Sequence, residues 1–133
     1  MDSQSGLGAE HEKYAGILAH PTSFPSPYGI GDLGERAYKF IDFLKKSGLN
    51  IWQVLPLGHT GFGDSPYQPF SSFAGQPLII AIDRLKACNL LIDSDFNNMP
   101  TWDPVDIHYG ELIEFKTNLL KLAYSRFLDP EVN

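Results

Sequence analysis

A short strand, an amphipathic helix and a second short strand follow one another within the first 57 residues, and this order restricts the fold more than any other feature. The first strand is predicted at residues 15–19, an apolar run without polar alternation that ends before Pro21. The second is predicted within residues 50–57, where Pro56 closes the run. A strand that is apolar on both faces requires a parallel sheet covered by helices, or a closed barrel. The order therefore predicts an α/β protein that contains one right-handed βαβ unit.

The helix between these strands carries signals at both of its ends. Asp32 and Glu35 have the spacing of a capping box, so the helix is predicted to begin there. Gly48 can adopt the left-handed conformation that ends a helix. Between these ends the apolar residues recur at the helical spacing i, i+3, i+4 and i+7, at Ala37, Phe40, Ile41 and Leu44.

The second half of the chain predicts two further helices and a polar connection between them. An apolar run at residues 78–82 precedes Asp83, which is predicted to cap a short helix that ends near residue 89. Residues 93–106 hold four aspartates, but they lack the glycine and the terminal glutamate of an EF-hand loop, so no metal site is predicted. A long amphipathic helix is predicted at residues 109–128, with its apolar stripe at Leu112, Phe115, Leu119, Leu122, Ala123 and Phe127.

Composition limits the classes of function. The chain of 133 residues is 43% hydrophobic and 20% charged, which is typical of one soluble globular domain. Its formal net charge of −6 argues against nucleic acid or an anionic membrane surface as the main partner, so a neutral ligand is favoured. The single cysteine, Cys88, cannot form an internal disulfide, and no apolar stretch reaches the roughly 20 residues that span a bilayer. We therefore expect a cytoplasmic protein with a flexible leader at residues 1–13 and one folded segment at residues 14–133.

The number of predicted strands does not suffice for a stable parallel sheet. Two or three strands flanked by helices leave unpaired edges and apolar faces in water. Either the chain is a piece of a larger fold, or it completes itself by pairing with another copy.

The loop at residues 61–75 follows the second predicted strand and has an unusual composition. It combines four aromatic residues with hydroxyls, an acid and glycines. Because loops bury little of themselves, these aromatic side chains need a partner, which is either the protein's own core or a flat-faced ligand such as a sugar ring. On residue types alone both interpretations stay open.

Several runs of sequence occur in an order that is typical of a known family. The first run spans residues 15–34 (AGILAHPTSFPSPYGIGDLG) and the second spans residues 52–58 (WQVLPLG). They are followed by residues 63–68 (GDSPYQ), residues 73–75 (FAG), Val105-Asp106, Tyr109-Gly110 and Lys116. This ordered set covers about residues 14–127 and resembles the N-terminal portion of the 4-α-glucanotransferases, the amylomaltase or disproportionating-enzyme family.

The resemblance implies a (β/α)8 TIM barrel, a fold that typically has about 250 residues. This chain would hold the first βαβ unit and the insertion after the second strand, so its barrel is incomplete, in agreement with the missing strands. In such barrels the loops at the C-terminal ends of the strands form the active site. Residues 21–31 and residues 58–77 are therefore expected on the same, ligand-binding face.

The resemblance also implies a retaining mechanism without a cofactor, in which one carboxylate attacks the anomeric carbon and a second carboxyl protonates the leaving oxygen. An acceptor sugar then replaces water in the second step. The family's motifs for these groups belong to later strands and are not found in this chain, so no catalytic residue is assigned. Asp64 alone has no partner at the distance that retention requires, and it is either a turn former or a contributor to the sugar site.

The substrate-binding residues that the resemblance implies all lie in the aromatic loop. Tyr67 is expected beside the sugar at the cleavage point, where its ring packs on the sugar face, and a core tyrosine is the alternative. Ser65 and Gln68 carry groups that suit sugar hydroxyls, and Asp64 is their acidic neighbour. Phe62 stands where relatives often carry tyrosine, so it keeps a ring for an accessory glucan contact but loses the hydroxyl. The four histidines show no metal-ligand spacing, so they are interpreted as structural or solvated.

The sequence supports two hypotheses of different classes. In the first, the chain is the N-terminal part of a cytoplasmic 4-α-glucanotransferase that transfers α-1,4-glucan segments between maltooligosaccharides, and it is inactive alone. In the second, it is a non-catalytic sugar-binding or self-associating fragment that lacks the catalytic carboxylates. Both take a maltooligosaccharide or another α-1,4-glucan as partner, and neither requires nucleic acid or a membrane.

Overall fold

The computed structural model describes residues 13–59, 71, 73–103 and 105–129 of the chain. Two strands, β1 and β2, span Gly16–Leu18 and Ile51–Gln53. Three α-helices, α1 to α3, span Glu35–Lys46, Ile82–Ala87 and Tyr109–Phe127. Single turns of 3-10 helix lie at Pro21–Ser23, Pro77–Ile79 and Asp93–Phe96. No helix within the described ranges combines the length and apolarity that crossing a membrane requires.

The strands β1 and β2 pair in parallel, with Ile17 opposite Trp52, and α1 connects them. The predicted α/β fold with one βαβ unit is therefore confirmed. Both strands are three residues long and thus shorter than predicted. Their pairing extends at both ends: the Ala19 amide donates to the Gln53 carbonyl over 3.0 Å, and the Ile51 amide donates to the Ala15 carbonyl over 3.2 Å. In the part of the chain that the structure describes, this sheet holds two strands.

The two strands are not buried on both faces, contrary to the expectation from their apolar sequences. Trp52 is half-buried, and its ring contacts Phe24 and Phe40 at centroid distances of 5.8 and 5.3 Å. Leu18 and Ile51 are 53% and 44% exposed. Because neighbouring residues of a strand point to opposite faces, α1 and the segment after β1 cover the Trp52 face, and the described residues leave the other face open.

The predicted capping box at the start of α1 is wrong. The N-cap is Gly34, and the Asp32 carboxylate instead accepts a hydrogen bond from the Gly34 amide over 2.9 Å. Glu35 is the first helical residue and pairs with Lys39 over 2.6 Å. The chain turns at Asp32 before the helix begins, so its side chain, 12% exposed, faces the protein interior and not the first helical turn. Gly48 ends the helix region with a φ of 70°, which confirms the predicted left-handed cap.

The predicted role of Asp83 as the cap of α2 is also wrong. The N-cap is Ala81, and Asp83 lies in the first turn of the helix. Its carboxylate accepts a hydrogen bond from the Tyr28 hydroxyl over 2.7 Å. The side chain is therefore used for a tertiary contact and is not available to the backbone of its own helix.

The buried core is formed by α3 together with the segments that follow β1 and β2. One cluster of buried residues consists of Tyr28, Ile82, Leu91, Leu119 and Ala123. A second cluster consists of Ile30, Leu78 and Leu112. The predicted apolar stripe of α3 supplies three of these residues, whereas Phe127, in the last turn, is 56% exposed. The core thus lies between α3 and the segments that follow β1 and β2. Its packing fixes the direction in which these two segments leave the sheet.

Candidate functional site

Two loops leave the sheet at the same edge. Loop 1 (residues 21–31) follows β1, and loop 2 (residues 58–77) follows β2. Because β1 and β2 run parallel, their C-terminal ends lie side by side. The Trp52 indole nitrogen, in the middle of β2, donates over 2.8 Å to the carbonyl of Ala19, the residue directly after β1. Both loops therefore start on the same side of the fold, as predicted.

Loop 1 folds back on itself through close backbone contacts. It opens with the 3-10 turn Pro21–Ser23, and the Gly31 amide returns to donate to the Thr22 carbonyl over 3.2 Å. A Cβ atom at Gly31 would lie 2.2 Å from the Pro21 carbonyl oxygen and 2.5 Å from that of Phe24. Residue 31 must therefore be glycine for this loop to close.

The buried imidazole of His20 lies at the start of loop 1. Its Nδ1 lies 2.6 Å from Thr22 Oγ1, and it caps the first turn of the loop. Burial lowers the pKa of His20, and the neighbouring Pro56 carbonyl partly opposes this effect. That carbonyl does not meet hydrogen-bond geometry, so Nε2 has no hydrogen-bond partner among the described residues. A histidine held in this way is structural, in line with its interpretation from the sequence.

Within the described ranges, no group of three or more histidine, cysteine, aspartate or glutamate side chains is arranged to hold a metal ion.

The two ends of loop 2 are held together at its base. The Gln76 amide donates to the Leu57 carbonyl over 2.8 Å, and Gly58 and Gly75 form an isolated antiparallel bridge. The Gln76 side chain accepts from the Leu78 amide at 3.5 Å and caps the 3-10 turn that follows. Loop 2 therefore starts and ends at one place beside loop 1.

The predicted substrate-binding residues lie outside the described residues. These residues are Phe62, Asp64, Ser65, Tyr67 and Gln68. Of the same loop, the structure describes Ser71, whose hydroxyl accepts hydrogen bonds from the Phe73 and Ala74 amides, both at 3.2 Å. The Phe73 side chain is fully exposed. The assignment of the five residues to a sugar site stays a prediction.

An open cavity of about 730 Å³ lies between loop 1 and the connection that precedes α3. Its walls carry the hydroxyl groups of Thr22, Ser23, Ser26 and Thr101, together with apolar surface from Phe24 and Trp102. The Asp103 carboxylate in the wall accepts hydrogen bonds from two backbone amides, which lower its pKa. Hydroxyls next to aromatic surface suit a neutral, polyhydroxylated ligand.

A buried ammonium group contacts the segments that end both loops. The Lys116 side chain, on α3, is fully buried, and its Nζ donates to the Leu78 carbonyl over 2.6 Å. Asp32 Oδ2 lies 4.0 Å from the same nitrogen. Burial lowers the pKa of Lys116 to about 8, and the Asp32 charge opposes this shift. Burial likewise raises the pKa of Asp32, an effect that the ammonium and the Gly34 amide reduce.

The family resemblance includes Lys116, but the contacts of its buried ammonium group are not predicted from the sequence. The signal was present, because the lysine lies four residues after Leu112 and three before Leu119, within the apolar face of α3. A lysine is almost never fully buried without a partner, so its place in an apolar stripe indicates an interior acceptor.

The sequence also matches a model of a known protein family. Residues 19–133 match the model described as 4-alpha-glucanotransferase. The chain belongs to the 4-α-glucanotransferase family. The resemblance inferred from the ordered sequence runs is thereby confirmed.

Curated 4-α-glucanotransferases are similar to this chain along most of its length. The protein from Synechocystis sp. is 44% identical over 116 residues, which make up 87% of this chain and 23% of the relative. The protein from Thermus thermophilus is 46% identical over 112 residues, or 84% of this chain and 22% of the relative. The chain therefore spans less than a quarter of the length of either 4-α-glucanotransferase.

A solved structure of a 4-α-glucanotransferase resembles the fold described above. It is an amylomaltase from Streptococcus agalactiae in complex with acarbose, with a TM-score of 0.80 and 39% sequence identity. The match covers 90% of this chain and 25% of that amylomaltase. The chain therefore shares the fold of the corresponding part of a 4-α-glucanotransferase.

Proposed function

We propose that this chain is the N-terminal part of an enzyme that transfers α-1,4-glucan segments between maltooligosaccharides. In this proposal β1, α1 and β2 are the first βαβ unit of a (β/α)8 barrel, and residues 58–108 are the insertion after its second strand. The observation that carries the proposal is the parallel pairing of β1 with β2, which brings loops 1 and 2 to one edge of the sheet in a chain of this family. Ligand-binding groups of such barrels lie on the loops at that edge.

Loop 2 supplies the sugar contacts in this proposal. The Tyr67 ring packs on a glucose face, Ser65 and Gln68 bind sugar hydroxyls, and Asp64 adds an acceptor. Phe62 stacks on an accessory glucan. Support comes from the closed base of the loop, where Leu57 and Gln76 are joined, because a loop anchored at both ends presents its side chains at one place.

The reacting carboxylates come from other parts of the polypeptide in this proposal. Retention requires two carboxyl groups about 5–5.5 Å apart on either side of the scissile bond. Three of the aspartates that the structure describes are engaged elsewhere: Asp32 with Lys116, Asp83 with Tyr28, and Asp95 with Arg126. These contacts give the three aspartates structural roles, so none of them is assigned as the nucleophile or the acid in this proposal.

Incubation with maltotriose tests the activity. The longest polypeptide in which this chain occurs should convert maltotriose into glucose and longer maltooligosaccharides, whereas the 133-residue chain should bind glucan without turnover. Absence of transfer by the longer polypeptide would exclude a glucanotransferase. Replacing Tyr67 with alanine in that polypeptide should lower kcat/KM by roughly tenfold or more. The matched control is Tyr124→Ala, since Tyr124 is 63% exposed on α3 and lies away from both loops in sequence.

A second candidate function is that of a glucan-binding chain that associates with its own copy. The observation in its favour is the exposed apolar surface of the sheet and α1, where Leu18, Phe43 and Ile51 are 53%, 52% and 44% exposed. Sedimentation equilibrium separates the two candidates: a monomer at micromolar concentration contradicts self-association.

The exposed free thiol of Cys88 fits a reducing compartment, and we propose a cytoplasmic location on that basis.

A further inference from the structure

We infer that Lys116 is a positioning residue, which holds the exit of loop 1 (residues 31–33) and the exit of loop 2 (residues 76–79) in a fixed relation beside the proposed ligand cleft. The inference rests on the proposed function for the nature of the ligand, a glucan. The anchoring itself follows from contacts among described residues.

Lys116 Nζ reaches two segments that are distant in sequence. Leu78, whose carbonyl accepts its hydrogen bond over 2.6 Å, lies in the 3-10 turn directly after the closed base of loop 2. Asp32, whose Oδ2 lies 4.0 Å away, is the first residue after loop 1. The same two segments are joined directly, because the Leu33 amide donates to the Ile79 carbonyl over 3.0 Å. One ammonium group on α3 therefore lies at the point where the exits of both loops meet.

The surroundings of Lys116 indicate that it positions the neighbouring backbone and does not only add to the stability of the fold. Leu112 and Leu119, one turn before and after it on the same helix, are buried in separate core clusters. An apolar side chain would fill this position without the cost of desolvating a charge, and such replacements of buried ion pairs are often neutral or stabilising. The ammonium differs from an apolar side chain in its directed donors, which fix the Leu78 carbonyl and face the Asp32 carboxylate.

Amide hydrogen exchange of the 133-residue chain tests the anchoring without any ligand. In Lys116→Met, the Leu33 amide, which bridges the two loop exits, should lose protection by roughly tenfold or more, after correction for the change in global stability. The Leu49 amide, which bonds to Leu44 at the end of α1 over 2.9 Å, should keep its corrected protection. Equal loss at both amides would reduce Lys116 to a general stabilising residue, and unchanged protection at Leu33 would exclude the anchor.

Two further variants make the result specific. Lys121→Met removes an exposed lysine from the same helix and should leave both amides unchanged. Lys116→Met combined with Asp32→Asn removes the charge that the single variant leaves unpaired. This double variant should recover global stability but keep the loss of protection at Leu33. Full recovery at Leu33 would show that Lys116 only neutralises Asp32, which overturns the inference.

Glucan affinity then links the anchor to the proposed function. Titration of maltoheptaose should show affinity that is lowered by roughly tenfold in Lys116→Met and unchanged in Lys121→Met. A further outcome is that the parent chain binds no glucan even though exchange of the Leu33 amide depends on Lys116. That result would refute glucan binding by the isolated chain, but it would leave the anchoring role of Lys116 established. Glucan affinity that does not change although Leu33 is deprotected would refute the positioning role.

Discussion

The Tyr28 hydroxyl donates a hydrogen bond to the Asp83 carboxylate over 2.7 Å and ties loop 1 to α2. The Tyr28 side chain is 8% exposed, and its ring lies 5.7 Å from that of Phe96. Burial raises the pKa of the phenol, and the hydrogen bond to Asp83 adds to this effect. The contact joins residues 55 positions apart and keeps loop 1 against the core.

Replacing Tyr28 with phenylalanine should lower the free energy of unfolding by about 1 kcal/mol, because the ring packing stays and one hydrogen bond to an exposed carboxylate is lost. Urea denaturation followed by circular dichroism measures this change. The control is Tyr38→Phe on the exposed side of α1, which should leave stability unchanged. A Tyr28→Phe variant as stable as the parent would show that water replaces the phenol fully at Asp83.

Stability should rise with pH between pH 7.5 and 9.5 because of Lys116. Its folded-state pKa is lowered from 10.5 to about 8, so the unfolded chain binds more protons in this window. Stability increases with pH wherever the unfolded state binds more protons, and the expected gain is about 2 kcal/mol. The raised pKa of the Tyr28 phenol opposes the trend, and this effect is confined to pH values near and above the ordinary tyrosine pKa of about 10.

Denaturation midpoints and m-values at pH 7.5 and 9.5 measure that gain. Lys116→Met removes the titrating group and should abolish it, whereas Lys121→Met should retain it. A gain of equal size in Lys116→Met would mean that another group produces the pH dependence.

Helices and strands were predictable where the pattern of neighbouring residues determines them. Their caps were less predictable where a side chain binds a residue that is distant in sequence. Short apolar runs that end at prolines predict β1 and β2, the helical spacing of apolar residues predicts α1 and α3, and Gly48 ends α1 as predicted. The sequence predicts both Asp32 and Asp83 as helix caps, because Asp32 lies three residues before Glu35 and Asp83 lies at the start of a predicted short helix. In the structure they face Lys116 and Tyr28, and these tertiary partners leave no mark in the neighbouring sequence.

The candidate site was predictable in its location more than in its composition. That loops 1 and 2 begin on one side follows from the predicted parallel βαβ unit, because neighbouring parallel strands end at the same edge of their sheet. The five residues of loop 2 assigned to the sugar site came from family resemblance. The part played by Lys116 depends on the carbonyl of Leu78, 38 positions away, and a backbone acceptor of this kind is not encoded by residue type.

Alanine in place of Gly31 should destabilise the chain by about 2–3 kcal/mol, because the added Cβ would meet two backbone carbonyls that cannot move independently of loop 1. Gly110→Ala is the matched control. Gly110 lies in the first turn of α3 with open space around its Cα, so this variant should gain up to about 1 kcal/mol. Thermal unfolding of both variants and the parent chain measures these changes. A Gly31→Ala variant as stable as the parent would show that loop 1 opens with little loss of free energy.

Replacing Arg126 with lysine should destabilise the chain. Arg126 binds Asp95 through two parallel hydrogen bonds, Nη1 to Oδ2 at 2.5 Å and Nη2 to Oδ1 at 2.9 Å. Nη1 also donates to the Leu90 carbonyl over 3.0 Å. A lysine cannot reproduce this fork, so Arg126→Lys should lose about 1 kcal/mol at pH 7. Lys39→Met, in the exposed pair with Glu35, should cause no measurable change.

The loss in Arg126→Lys should also depend on pH. The hydrogen bonds from Arg126 are the main cause of the lowered pKa of Asp95, so their contribution to stability is present above the ordinary pKa of aspartate. It is lost as the pH falls through the lowered value, because the protonated carboxyl no longer attracts the guanidinium. The difference in unfolding free energy between parent and Arg126→Lys, measured by urea denaturation at pH 7, 4 and 2.5, should therefore shrink toward the acid end. A difference that stays constant over this range would mean that Arg126 acts through the Leu90 carbonyl and its packing, and not through Asp95.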